Sequence, residues 1–182
     1  MSAIIVENIS KSFGKIKALD SVSFQVNRGE LFGLIGPDGA GKTTLFRLLT
    51  TLLYPDEGKV TVDGYDSVQD YLKIRQHVGY MPGRFSLYQD LTVEENLKFF
   101  AALFGIKVEE SYDLVAPIYR QIEPFKNRRA GKLSGGMKQK LALSCALIHR
   151  PSVLFLDEPT TGVDAVSRTE FWDMLADLKA KG

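Results

Sequence analysis

Short β-branched and aromatic runs alternate with amphipathic stretches along this chain. Ala3–Val6, Val22–Val26, Leu31–Ile35, Lys59–Val62, Val78–Met81 and Val153–Leu156 predict strands. After Gly41, Leu45, Leu48, Leu49 and Leu52 recur at i, i+3, i+4 and i+7, the spacing of one helical face. A second helix is predicted from Thr92, where Glu95 three residues on completes a capping box and Leu97, Phe100 and Phe104 form the apolar stripe. Another follows Ser134, with Leu141, Ser144, Cys145 and Ile148 on one side, and a last one carries Phe171, Met174, Leu175 and Leu178. Two strands, Val78–Met81 and Val153–Leu156, flank a largely helical middle. The pattern therefore predicts an α/β core of about residues 1–83 and 151–182, interrupted by a helical insertion of about 84–150. An alternating fold would follow the last helix with a strand. The sequence reaches Lys181–Gly182 first, so the chain is expected to be cut short.

Composition narrows the class without naming a function. With 182 residues, 45% hydrophobic and 25% charged, the chain is long enough for one packed domain and is neither disordered nor collagen-like. A net charge of +1 gives no general attraction to nucleic acid or anionic lipid. The single cysteine, Cys145, excludes an internal disulfide and fits a reducing compartment. No apolar run approaches the ~20 residues that span a bilayer, and MSAIIVENIS lacks the basic start and apolar centre of a signal peptide. A soluble, cytoplasmic protein is expected.

Candidate chemistry begins at residues 36–44, GPDGAGKTT, which match G-x-x-x-x-G-K-[ST] between a predicted strand and a predicted helix. Glycines at Gly36, Gly39 and Gly41, with Pro37, Asp38 and Ala40, permit a tight turn whose backbone N–H groups point at phosphate oxygens. The following helix start adds partial positive charge. Lys42 is placed to reach β- and γ-phosphates, and Thr43, followed by Thr44, offers a hydroxyl to Mg²⁺. The acidic counterpart is SVLFLDEP at 152–159, where a strand delivers Asp157 as a metal ligand and Glu158 as a general base for an attacking water. Taken alone, that run is an ordinary strand exit; the upstream loop gives it chemical meaning.

LSGGMKQ, residues 133–139, opens a helix with two poor helix formers after Ser134. Gly135 and Gly136 make sense where backbone approaches an anion to which Ser134 donates its hydroxyl. GPDGAGKTT, LSGGMKQ and LFLDEPTTGVD, in that order, resemble the nucleotide-binding domain of ABC transporters from about Ile4 to the end of the chain. The resemblance implies a P-loop NTPase fold with a RecA-like core sheet, an antiparallel β subdomain and an inserted helical subdomain. It implies ATP as substrate with Mg²⁺, and a head-to-tail pair of cassettes, in one dimer or in one longer chain. Ser134, Gly135 and Gly136 would then meet the ATP bound to the partner cassette. Phe13 matches the aromatic that stacks on adenine, although by itself it reads as a packing residue. Asp164 matches the acidic residue of the loop crossing the dimer interface, although by itself it reads as a turn aspartate. LYQDLTVEENL, residues 87–97, is similar to the segment after the transporter-coupling loop in the bacterial drug- and antibiotic-exporter branch. The implied partner is an integral membrane subunit, which places the chain at the cytoplasmic face of the membrane.

Two departures bear on activity. The family carries a glutamine after the strand read as VGYMP, and this chain has Gly83; Gln89, six residues on, matches a surface turn and is not expected to substitute. Slow hydrolysis at an intact MgATP site is the expectation. The family's switch histidine has no match either, since His77 and His149 occupy other positions and read as surface or capping residues. Little hydrolysis is expected from these residues alone. Lys126, Arg128, Arg129, Lys132, Lys138 and Lys140 form a basic run without an interleaved aromatic, which reads as a collar around the signature rather than a nucleic-acid footprint. Cys145 reads as a core residue. Two other readings stay open: a non-transport ABC ATPase acting on ribosomes or DNA, and a regulatory ATP-binding cassette with a degenerate site.

Overall fold

The computed structural model describes residues 1–180, so Lys181–Gly182 lie outside the described residues. The chain divides into two compact units, Met1–Val78 and the part from Gly79 onward. In the first, β1 (Ser2–Phe13) and β2 (Ile16–Asn27) form an antiparallel hairpin whose register runs from Ser2↔Asn27 to Phe13↔Ile16. β3 (Glu57–Val62) adds to the other side of β1, and the short β4 (Tyr65–Asp66) completes the order β2-β1-β3-β4. Ile4, Val6, Val60 and Val62 are buried while Glu7 and Lys59 are exposed, the alternation of a sheet with one covered face. α1 (Lys42–Leu49) packs against β2 and β3 and buries Leu45, Leu48 and Leu49.

Two local expectations fail in this unit. Leu31–Ile35 forms no strand: Leu31 is 65% exposed, Phe32 43% and Ile35 100%, and among the described residues none pairs with this run in a ladder. Apolar patterning favours extended backbone, but a strand exists only where its N–H and C=O groups find a neighbouring strand. The Phe32 ring stacks on Phe24 instead, with centroids 5.4 Å apart. Leu52 also leaves the helical face it was assigned to. α1 ends at Leu49, Thr51 turns to φ 61°, and the Arg75 guanidinium, at the end of α2 (Tyr71–His77), donates to the Thr51 hydroxyl (2.9 Å) and carbonyl (2.8 Å).

β5 (Val78–Met81), all but its first residue in the second unit, pairs with β6 (Val153–Leu156), both over their predicted residues. Around them lie α3 (Val93–Leu103), α4 (Val108–Tyr119), α5 (Gly135–Leu147) and α6 (Ala165–Ala180). Their shared core includes Leu97, Val115, Ile118, Leu141, Ile148 and Phe171. Cys145 is buried there, and burial pushes its thiol pKa up, which keeps it in the unreactive form. The capping box of α3 forms as predicted: Glu95 N–H donates to Thr92 Oγ1 (3.2 Å) and Thr92 N–H to Glu95 Oε2 (2.8 Å). The Thr92 N–H donated to the carboxylate holds Glu95 below its usual pKa.

Residues 89–94 run beside 126–131 through Gly131 N–H to Gln89 O (2.9 Å), Ala130 N–H to Leu91 O (2.8 Å) and Val93 N–H to Arg128 O (3.0 Å). Asn96, fully buried, organises the turn above this ladder. Its Oδ1 accepts from Tyr88 N–H at 3.1 Å, and its Nδ2 donates to the Tyr88 and Thr92 carbonyls at 2.9 Å each. Replacing Asn96 by alanine strands those backbone groups away from water, a loss of about 2 kcal/mol. Urea unfolding should show it as a lower midpoint with an unchanged slope.

Candidate active site

The phosphate-loop residues belong to the first unit. Ala40 N–H closes a turn on Pro37 O (3.2 Å), and α1 begins at Lys42. Gly41 has φ +85°, and a Cβ placed on it would lie 2.4 Å from Ala18 O and 2.9 Å from Leu19 Cδ2. Only glycine satisfies both the backbone angle and that approach, so the end of the loop is seated on β2. Through the hairpin, β2 leads to Phe13, which is 48% exposed and leaves ring surface open to stacking. The Lys11 ammonium lies 5.9 Å from the Phe13 centroid and pairs with Asp56 at 2.6 Å.

α1 starts without a side-chain cap and without an acid in its first turn, whereas α3 has Thr92, Glu94 and Glu95 at its start. The start of α1 thus carries no side-chain cap and no negative charge of its own, and the helix end adds a positive potential that suits an anion. The Lys42 ammonium donates to Gly36 O (2.8 Å) and Pro37 O (2.9 Å), so the cation is held over the loop itself. Gly36 is half-buried, whereas Pro37, Asp38, Gly39 and Ala40 are exposed; Thr43 and Thr44 are half-buried in the first turn of α1.

The acidic strand end and the signature belong to the second unit. β6 delivers Asp157, 3% exposed, whose N–H donates to Met81 O at 2.9 Å. Glu158 is exposed with φ 49°, and the Thr161 hydroxyl donates to its Oε2 at 3.3 Å. A Cβ at position 83 would lie 3.1 Å from Asp157 O and 3.5 Å from Glu158 Cβ. Any side chain at that position would spring from beside the acidic pair, and Gly83 supplies none. Gln89 lies beside Gly131: its backbone carbonyl accepts from Gly131 N–H, and a Cβ on Gly131 would lie 3.3 Å from Gln89 Cβ.

Ser134 caps α5, its Oγ accepting from Met137 N–H at 3.4 Å, which leaves the hydroxyl proton for donation to a ligand. The glycines that follow carry a second constraint that their sequence does not reveal. A Cβ on Gly135 would meet Gly162 O at 3.1 Å, and one on Gly136 would meet Ser167 Oγ at 2.8 Å. Asp164 caps α6 by accepting from Ser167 N–H (3.0 Å), and these bonds lower its carboxyl pKa. Sequence reasoning found Asp164 but missed Ser167 and the Lys140–Glu170 ion pair (2.7 Å), since contacts between two helices leave no local signal.

Three of the six cations in the basic run are engaged within the molecule. Arg128 lies 4.5 Å from the Phe125 ring centroid, Lys138 lies 5.5 Å from that of Phe85, and Lys140 is paired. The histidines are packing groups: His77 Nδ1 lies 2.7 Å from Lys73 O, and His149 stacks on Phe104 at 3.7 Å. Among the described residues no cluster of three or more His, Cys, Asp or Glu side chains could hold a metal ion.

A sequence family described as ABC transporter matches residues 19–161, and the chain belongs to it. It is 42% identical over 183 residues to a probable multidrug ABC transporter ATP-binding protein, YbhF, of Escherichia coli strain K12, covering 100% of this chain and 32% of that protein. It is 40% identical over 184 residues to the doxorubicin resistance ATP-binding protein DrrA of Mycobacterium tuberculosis, covering 99% of this chain and 56% of that one. The chain thus spans between a third and just over half the length of these relatives. Among solved structures it resembles a dimeric ATP-binding cassette in a post-hydrolysis state with ADP and phosphate. That match has a TM-score of 0.85 at 26% identity and covers 98% of this chain and 83% of the other. No helix among the described residues is long and apolar enough to cross a membrane.

The Lys42 geometry gives a direct prediction. Lys42→Ala removes a charge-assisted donor, and MgATP affinity should fall about 10- to 100-fold by isothermal titration. Unchanged affinity would remove the 36–44 loop from the binding site.

Proposed function

We propose that this chain is the ATP-binding part of an exporter-type ABC transporter, which binds and hydrolyses MgATP to drive export through an integral membrane partner. The observation that carries the reading is the start of α1: an uncapped helix end seated by Gly41, with the Lys42 ammonium turned onto the loop carbonyls. Gly36–Thr44 bind the triphosphate and Phe13 stacks on the base. The Thr43 hydroxyl and the nearly buried Asp157 carboxylate are hard oxygen donors of the kind Mg²⁺ takes, and the ion, when bound, neutralises phosphate charge. Glu158 takes the proton of the attacking water. Exposed Ser134, Gly135 and Asp164, with Gly136 behind them, face the ATP and the interface of a second cassette. For the membrane partner, Tyr88 (52% exposed), Phe99 (40%) and Leu103 (65%) supply exposed apolar surface, with the Tyr88 ring edge-on to Phe99 at 4.9 Å. The two relatives named for multidrug transport and doxorubicin resistance support the exporter branch.

Glu158→Gln removes the base and should lower turnover by about 10²- to 10⁴-fold while trapping ATP in a stable pair, read by phosphate release and light scattering. Wild-type turnover in that variant would reassign the base. Gly83→Gln restores a side chain beside Asp157 and Glu158, and turnover in the full chain should rise about tenfold if water positioning limits the rate. An unchanged rate would show that Gly83 does not limit hydrolysis. Affinity purification from detergent-solubilised membranes tests the transport reading. A polytopic membrane protein should co-purify; recovery only with ribosomes or nucleic acid in the soluble fraction would overturn it.

A further inference from the structure

The signature turn and the 160–164 loop are separated in sequence by most of α5, by β6 and by the acidic strand end, yet they are fastened together twice. On α5, Gly136 and Lys140 lie one turn apart; on α6, Ser167 and Glu170 do the same. At the first contact a Cβ on Gly136 would lie 2.8 Å from Ser167 Oγ and 3.0 Å from Ser167 Cβ, so the α5 backbone rests on the Ser167 side chain. At the second, the Lys140 ammonium meets Glu170 Oε2 at 2.7 Å, with the Lys140 side chain only 14% exposed. Ser167 also donates its N–H to Asp164, and Gly135 lies against the Gly162 carbonyl. Direct contacts therefore run from the first turn of α5 through Ser167 into the loop that Asp164 terminates.

We propose that Lys140, Glu170 and Ser167 are positioning residues that lock the signature turn, residues 134–137, to the 160–164 loop as one rigid body. The proposal rests on the cassette-pair reading above, in which both segments face the same partner. Two independently mobile segments would each lose freedom when a pair forms; one locked body loses it once, so the lock favours assembly without touching nucleotide. It also assigns Lys140 a task apart from the basic collar. Its charge is spent on Glu170 within the same chain.

The test uses Lys140→Glu, Glu170→Lys and the double exchange, with Lys140→Arg as the conservative variant and Lys140→Met, which keeps the packed stem, should a reversed charge hinder folding. Hydrogen exchange in the ATP-free full chain reads the lock. Exchange of the amides of 134–137 and 160–164 should rise together in Lys140→Glu, by about tenfold, and return to within about threefold of wild type in the double exchange and in Lys140→Arg. ATP-induced pairing, measured by light scattering in the Glu158→Gln background, should weaken about tenfold and recover in the same two variants. Binding of a fluorescent ATP analogue by the monomer should keep its Kd. Exchange that rises in one segment only, or not at all, overturns the lock. Unaltered pairing where the parent pairs overturns its role in positioning. A parent that does not pair with ATP overturns the cassette-pair reading and the positioning role with it, while the exchange data still decide whether the two segments are joined.

Discussion

At Gly41 the chain has no room for a Cβ, and at Gly136 a Cβ would press on the Ser167 side chain, so both candidate anion-facing helix starts lie hard against neighbouring protein. Gly41 lies so close to the Ala18 carbonyl that the end of the phosphate loop takes its seat from β2 rather than from its own turn. The first N–H groups of α1, the Lys42 ammonium and the Phe13 hairpin are then held within one small unit. Gly136 sets α5 against α6 through a softer contact, the Ser167 side chain. Glycine in such motifs is usually credited with letting backbone approach a ligand. Here it also lets backbone approach the protein, and a methyl group would disturb the framework before any ligand arrived.

The helical unit uses a polar device for a comparable end. Asn96 is fully buried, and its side chain bonds only to backbone groups, fixing the turn at Tyr88–Thr92 from inside. A buried amide that is fully engaged stiffens its surroundings, because each lost partner leaves an unpaired group in a medium of low polarity. The fixed turn continues into residues 89–94, whose ladder to 126–131 ends immediately before the signature. The segment that resembles the one following the coupling loop and the segment that leads to the signature are thereby parts of one hydrogen-bonded strip.

Much of this was legible in the sequence, where the determinants are local. The capping box at Thr92–Glu95, the cap at Ser134, and the β5 and β6 boundaries follow from residues within a few positions of each other. The motifs at 36–44, 133–139 and 152–159 are equally local, so the family could be read before the fold. Leu31–Ile35 shows the limit, because patterning cannot state whether a strand has a neighbour. α2 and α4 escaped notice for another reason. α2 is a short helix whose Asp70 start makes no side-chain cap bond, and α4 starts at Lys107, which cannot cap, and carries Pro117 inside it. The Gly136–Ser167 and Lys140–Glu170 contacts join residues about thirty positions apart, and nothing near either one marks its partner.

The backbone of Glu158 has a consequence for anyone trying to improve this protein. At φ 49° an L-residue sits in a conformation that costs about 1–3 kcal/mol, and a glycine would relieve it. A selection for thermal tolerance alone would therefore tend to enrich Glu158→Gly and discard the carboxylate assigned to the chemistry. Glu158 shares this strain with Asn8, Ser21, Thr51, Asp63 and Arg150, but it alone among them is the proposed base, so at this residue robustness and the proposed turnover pull in opposite directions.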